Sequence, residues 1–223
     1  MPVNASTEPS ERRTHTEQGI ERKQQLLEAA AVLFSSKGYA NTRIADICAA
    51  AGVAKGLVYW YFPTKEELFA ELVRSMRLQL RRAQAAAMDP NADPLTRIRQ
   101  GTEASVVFMA EHRAYFALLD VERSQDELSG RGSDVADVLR EGSDVYATDV
   151  IRLVRDAQRI GLVPDGDLQL YAVGVLGVVS SFSHALRNGS LDVDVDELAA
   201  FVGGWVIRAL SGESHGSRAS RLA

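Results

Sequence analysis

Apolar residues recur along the chain at intervals of three and four, and no stretch alternates as a half-buried strand would. The first periodic segment opens at Ile20. Leu27, Ala30, Ala31 and Phe34 share one face, and Gly38 supplies a stop. A short second helix is predicted over 43–51, with Thr42 as its N-cap and Ile44, Ile47 and Cys48 turned inward, until Gly52 breaks it. A third runs from Lys55 to Tyr61 and ends at Pro63. Thr64 caps a fourth, whose inner face reads Leu68, Leu72, Met76 and Leu80, and Glu67 three residues on completes a capping box. The segment MDPNADP at 88–94 is the clearest turn. Further helices are expected over 95–111, 113–127, 134–160, 167–187 and 196–210. The chain is therefore expected to be all-α, with about nine helices.

The same pattern divides the chain. Residues 1–19 carry no periodicity and read as a disordered arm, whose Arg12 and Arg13 form its basic spot. Residues 20–65 hold three short helices, residues 66–211 the long ones, and 212–223 a flexible polar tail.

Composition narrows the class. With 46% hydrophobic and 25% charged residues the chain has material for a sizeable core. Its longest apolar run, Val173–Val179, is far short of the roughly 20 residues a membrane span needs, and the N-terminal segment lacks the apolar stretch of a secretory signal. Cys48 is the only cysteine, so no internal disulfide or cysteine-based zinc cluster can form. A cytoplasmic protein with no membrane partner is expected. The net charge of -5 hides an asymmetry: residues 11–90 carry 12 Lys/Arg against 9 Asp/Glu, whereas 91–223 carry 13 against 20. A basic N-terminal part on an acidic remainder suits a small nucleic-acid reader attached to another module.

Three short helices with a glycine turn between the second and third form a helix-turn-helix pattern. Ala49, Ala50 and Ala51 are small as a close helix crossing would require, Gly52 supplies the reversing backbone angle, and Val53, Val58 and Phe62 would plug the third helix onto the first two. The outward face is then Lys55, Gly56, Leu57, Tyr59, Trp60 and Tyr61. Tyr59 to Phe62 are four consecutive aromatics, and at about 100° per residue they cannot all face inward. An exposed aromatic face with a cation and a glycine suits phosphate contacts and apolar contacts to thymine methyl groups.

The run TRIADICAAAGVAKGLVYWYFPTKEELFAEL at 42–72 resembles the DNA-binding signature of the TetR family of bacterial regulators. The likeness covers Thr42, the Ala-Gly-Val turn at 51–53, Lys55-Gly56, the Tyr59-x-Tyr61-Phe62 block and Lys65, and AAAVLFSSKGY at 29–39 fits the preceding helix. The resemblance implies that Thr42 caps the second helix and bonds a phosphate, and that Arg43 reaches a base edge or phosphate. It places Lys55, Leu57 and Tyr59 at the major groove, Gly56 where the backbone comes close, and Tyr61 and Lys65 as phosphate clamps. Two departures stand out: Leu57 occupies a position often polar, and Trp60 is bulkier than the common tyrosine.

By the same resemblance, the last two long helices would pair in a homodimer. Leu170, Val173, Gly174 and Gly177 on one, and Leu198, Phe201, Val202, Trp205 and Leu210 on the other, are the candidate contacts. A pocket for a small hydrophobic molecule is expected among the middle helices, lined by Phe108, Met109, His112, Tyr115, Phe116, Tyr146 and Tyr171. The expected output is a repressor released from a palindromic double-stranded operator by its ligand. The alternatives are a ligand-responsive activator and a helical interaction module without DNA contact. No catalytic site, metal or cofactor is expected: His15, His112, His184 and His215 form no i, i+4 pair, and no nucleophile elbow or phosphate loop occurs. DVDVDE at 192–197 resembles the start of a calcium loop but has Glu197 at its sixth position and Gly203 at its twelfth. Asp194 and Asp196 are read instead as caps of the last helix.

Overall fold

The computed structural model describes residues 9–120 and 143–212, with side chains from 19 to 120 and from 147 to 212. The described residues are helical with no strand. In chain order the helices are α1 (Pro9–Lys37), α2 (Ile44–Ala51), α3 (Lys55–Tyr61), α4 (Lys65–Ala87), α5 (Pro94–Glu111), α6 (113–120), α7 (Ser143–Arg159), α8 (Leu168–Arg187) and α9 (Val195–Ser211). The expected end of the sixth helix at 127, the break at 128–133 and the start of the seventh at 134 lie outside the described residues, as does the tail from 213.

Side-chain caps set four of the helix starts. Thr64 accepts from the Glu67 amide, Asp93 from Thr96, Asp167 from Gln169 and Leu170, and Asp194 from Asp196 and Glu197. Asp194 is thus the cap expected of it. Two starts differ from expectation. α1 begins at Pro9 rather than Ile20; proline suits a first helical position, and the polar residues that follow leave no apolar stripe to read. α2 begins at Ile44 with Arg43, not Thr42, as its N-cap.

Three apolar cores stack along the molecule. The first joins Leu26, Leu27, Ala30 and Phe34 of α1 to Ile47, Val58, Phe62 and the inner face of α4, then continues into Phe108, Tyr115, Leu118 and Leu119. The second holds Leu95, Ile98, Val150, Leu153, Val154, Val175 and Val206. The third holds Val106, Val179, Leu198, Ala199 and Val202. α5 contributes to all three and packs against α4, α7, α8 and α9. Its crossing with α9 is close, since a Cβ at Gly203 would stand 2.8 Å from Cγ of Glu103. The line expected between residues 65 and 66 falls inside the first core, because α4 belongs to both halves.

α8 is, among the described residues, the one helix long and apolar enough by length and composition to cross a membrane, although only 22% of its apolar window is buried. It packs against α5, α7 and α9 as a bundle helix and carries Arg187 in its last turn.

Candidate functional site

The α2–turn–α3 unit is shaped by one glycine and two apolar plugs. Gly52 takes φ +65°, a left-handed conformation that side-chain-bearing residues rarely adopt, and the Val53 amide then closes back on the Cys48 carbonyl at 3.0 Å. Val58 and Phe62 enter the first core, and Val53 is half-buried. Val58 is the one fully buried residue within α3. Tyr59 is left 44% exposed and Trp60 75% exposed. Lys55 and Gly56 are exposed beside them, and the Lys55 ammonium lies 5.6 Å from the Tyr59 ring centroid. A Cβ added at Gly56 would meet nothing within 4 Å, so the protein's own packing does not require glycine there. Leu57 is half-buried. Arg43 is exposed at the start of α2, and its amide donates to Asp46 Oδ2 at 3.4 Å.

Several assignments change on this geometry. Thr42 is 1% exposed, and its hydroxyl donates to the carbonyls of Gly38 (2.8 Å) and Leu33 (3.2 Å). It ties the α1–α2 loop together from within and neither caps α2 nor presents a donor to a phosphate. Lys65 is turned inward too. Its ammonium donates to the carbonyls of Tyr39 (3.0 Å), Thr42 (3.3 Å) and Ala40 (3.5 Å) and sits 4.3 Å from the Tyr39 ring centroid. The expected phosphate clamp is a staple between the start of α4 and the loop before α2. The Tyr61 hydroxyl donates to the Gly19 carbonyl of α1 at 3.0 Å, so this residue also braces the unit. Ala49 and Ala50 lie on the exposed face of α2, not at a crossing.

Among the described residues, the side chains expected to form the ligand site are spread over three cores. Phe108 and Tyr115 are buried in the first core, where Phe108 stacks on His112 at 4.0 Å and Phe116 meets Tyr115 edge-on at 5.1 Å. The His112 Nδ1 lies 3.0 Å from the Phe108 carbonyl. Met109 packs against the third core. Tyr171 packs against the second, with its hydroxyl donating to the Pro164 carbonyl at 3.2 Å. Tyr146 falls in α7, with its side chain outside the described residues.

A cavity of about 330 Å³ lies elsewhere, between α4, α5, α7 and α8, within the size range of small-molecule sites. Ala85, Met88, Ile98, Val150, Leu153 and Val175 supply its apolar wall, and Arg81, Gln84, Arg97, Thr102, Asp149 and Arg152 its polar groups. None of the expected ligand residues with described side chains lines it. The expected lining is aromatic, whereas this wall is aliphatic and its polar members have the composition of ordinary surface residues. Gln84 is held by donating to Ser105 at 2.8 Å, and Ser105 donates to the Gly101 carbonyl. The tip of Met88 lies over Gly101, where a Cβ would stand 2.3 Å from Cε. Among the described residues no three His, Cys, Asp or Glu side chains gather as metal ligands.

α8 and α9 expose a further apolar face. Leu170 is 73% exposed, Val173 64%, Phe201 51% and Trp205 42%, with exposed Gly174 and Gly177 among them. Leu198, Val202 and Leu210, expected on that face, point into the protomer instead.

Residues 26–72 match the family model described as bacterial regulatory proteins, tetR family. The chain is 23% identical over 192 residues to the uncharacterized HTH-type transcriptional regulator YhgD of Bacillus subtilis, spanning 86% of this chain and 98% of that protein. It is 31% identical over 116 residues to the HTH-type transcriptional repressor KstR2 of Mycobacterium tuberculosis, spanning 52% of this chain and 58% of the other. Among solved structures, the fatty acid degradation regulator FadR of Bacillus halodurans superposes with a TM-score of 0.73 at 19% identity, over 84% of this chain and 98% of that one. This last likeness is one of fold.

Proposed function

We propose that the chain is a DNA-binding transcriptional regulator of the TetR family, and within it a dimeric repressor, released from a palindromic operator by a small molecule held between α4, α5, α7 and α8. The carrying observation is the outer face of α3. Tyr59 and Trp60 stand in solvent beside Lys55, and Gly56 opens onto empty space. An uncovered face of this kind is costly in water and fits a partner with phosphates outside and methyl groups within, which is the major groove.

In this reading Lys55, Gly56, Leu57, Tyr59 and Trp60 approach the groove, and Arg43 meets the backbone at the start of α2. Lys65, Thr42 and Tyr61 act one layer behind, holding that surface in place. The exposed faces of α8 and α9 supply the second protomer, so that two α3 helices reach grooves about 34–36 Å apart. α4 links the two activities. Its Lys65 holds the α1–α2 loop, while its Arg81, Gln84 and Ala85 line the cavity. A ligand that prefers a cavity shape in which α4 is displaced weakens DNA binding, with coupling of about 1–3 kcal/mol.

The test is selection of genomic fragments bound by the full chain, followed by footprinting and light scattering. The expected result is an inverted repeat protected at two half-sites about one helical turn apart, bound by a dimer that also exists without DNA. A monomer at micromolar concentration, or protection of a single unrepeated site, overturns the reading.

A further inference from the structure

The cavity wall carries three guanidinium groups and one carboxylate. Arg81 pairs with Asp149 at 3.1 Å, and Arg152 approaches the other oxygen of the same carboxylate at 3.6 Å. Arg97 has no such partner, and its Nε is buried without a hydrogen-bond acceptor. Arginine keeps its charge at any ordinary pH. Arg97 as a whole is half-buried, and an Nε–H that meets no acceptor is an unfavourable arrangement. Asp149 is already shared between two cations, so the lining holds an excess of positive charge that the cavity's own residues leave unbalanced. Against these groups stand Met88, Ile98, Val150, Leu153 and Val175, which offer only apolar surface.

We propose that the cavity receives an amphipathic organic anion, whose carboxylate is taken by Arg97 and whose apolar body lies along the aliphatic wall. A carboxylate meets the planar fork of arginine with two parallel hydrogen bonds, which no neutral hydroxyl can match. The requirement for negative charge follows from the unpaired guanidinium, and that for an apolar body from the wall beside it. The assignment rests on the reading of this cavity as the effector site and gives its ligand a chemical class.

The experiment uses the full chain and calorimetric titration with octanoate, decanoate and dodecanoate, beside the alcohols and trimethylammonium salts of equal chain length. The wild type should bind a carboxylate at least about tenfold more tightly than the matching alcohol. Arg97→Gln should bring acid and alcohol level, and Arg97→Lys should keep part of the preference. Without ligand, the melting temperature of Arg97→Gln should equal or exceed that of the wild type, because an unpaired buried donor has been removed. Three results overturn the proposal: alcohols bind as well as acids, the preference survives in Arg97→Gln, or no carboxylate binds below about 1 mM. A parallel gel shift separates it from the regulatory reading. A carboxylate that binds through Arg97 and leaves DNA affinity unchanged upholds the anion site and overturns the cavity's role in induction.

Discussion

Tyr59 and Trp60 on α3 stand 44% and 75% exposed, whereas Phe108 and Tyr115, at the junction of α5 and α6, are 5% and 4% exposed. Both groups are aromatic clusters on helices, and what differs is the number of neighbours each helix has. α3 is a seven-residue helix lying on one side of the first core, to which it and its C-cap give the buried Val58 and Phe62. Rings at adjacent positions are turned outward there by the 100° step of the helix. α5 runs through the middle of the molecule with α4, α7, α8 and α9 around it, so rings on it find cover on every side. Clustered aromatics therefore stay in solvent where the helix is peripheral, and pack into a core where it is central.

Substitution of the buried rings should give the largest effects on folding. Phe69 is fully buried and meets Phe34 and Tyr39 edge-on. Phe69→Ala and Phe108→Ala should each lower the free energy of unfolding by about 3–5 kcal/mol, read from urea melts. Trp60→Ala should stay within about 0.5 kcal/mol of the wild type and lose DNA affinity instead. The contrast would break if Phe108→Ala left stability unchanged while altering affinity for a ligand, since Phe108 would then belong to a binding site.

How far the sequence could be read follows the same division. Helix periods, Pro63, Gly52 and the caps Thr64 and Asp194 are local signals, and the helices from α2 onward began within a residue or so of their expected places wherever both were described. The outward turn of Tyr59 and Trp60 was also legible, because it follows from helical geometry alone. Thr42, Tyr61 and Lys65 were harder. Their types suit phosphate contacts, and only the folded chain brings the Gly38, Gly19 and Tyr39 carbonyls within reach of them. The cavity was not legible at all, because its residues come from four helices separated in sequence and share no composition that marks a site.

Lys65 provides the next test of which side chains face the partner. With its ammonium on three backbone carbonyls, Lys65→Ala should cost about 1–2 kcal/mol of stability, less than a fully buried charged hydrogen bond because the group is partly solvated. DNA affinity should fall through disorder of the loop, while the slope of log affinity against log salt stays unchanged. A slope reduced by about one phosphate contact would return Lys65 to the DNA surface.

Acid should act on both halves by a smaller amount. Burial pushes the Glu71 carboxyl up, but hydrogen bonds from Lys23 and Arg74 outweigh it and hold the group below its ordinary 4.5. The Thr96 hydroxyl and amide hold Asp93 below its ordinary 3.8. Both carboxylates have folded-state values depressed relative to the unfolded chain. Their contribution is therefore complete above the ordinary value and is lost as pH falls through the depressed one. The melting temperature should decline as pH drops below about 4.5, and Glu71→Gln should flatten that decline. An equally steep acid limb in Glu71→Gln would show that the α1–α4 pair does not contribute to it.

Gly56 should show the smallest effect on folding and the clearest separation of folding from binding. Its added Cβ would touch nothing within 4 Å, and its backbone is helical, so neither space nor conformation demands glycine. Alanine at the start of α3 should leave stability unchanged or raise it by at most about 0.5–1 kcal/mol, because the unfolded chain has less freedom to lose. If the groove lies against this face, the same methyl group enters the space that the DNA backbone occupies, and affinity should fall about tenfold or more. Titrating Gly56→Ala and Gly56→Ser against a selected operator, with melting curves on the same samples, measures both quantities at once. Undiminished DNA affinity in both variants would mean that the open space over Gly56 faces solvent in the complex, and the contact surface would then move toward Arg43 and the start of α2.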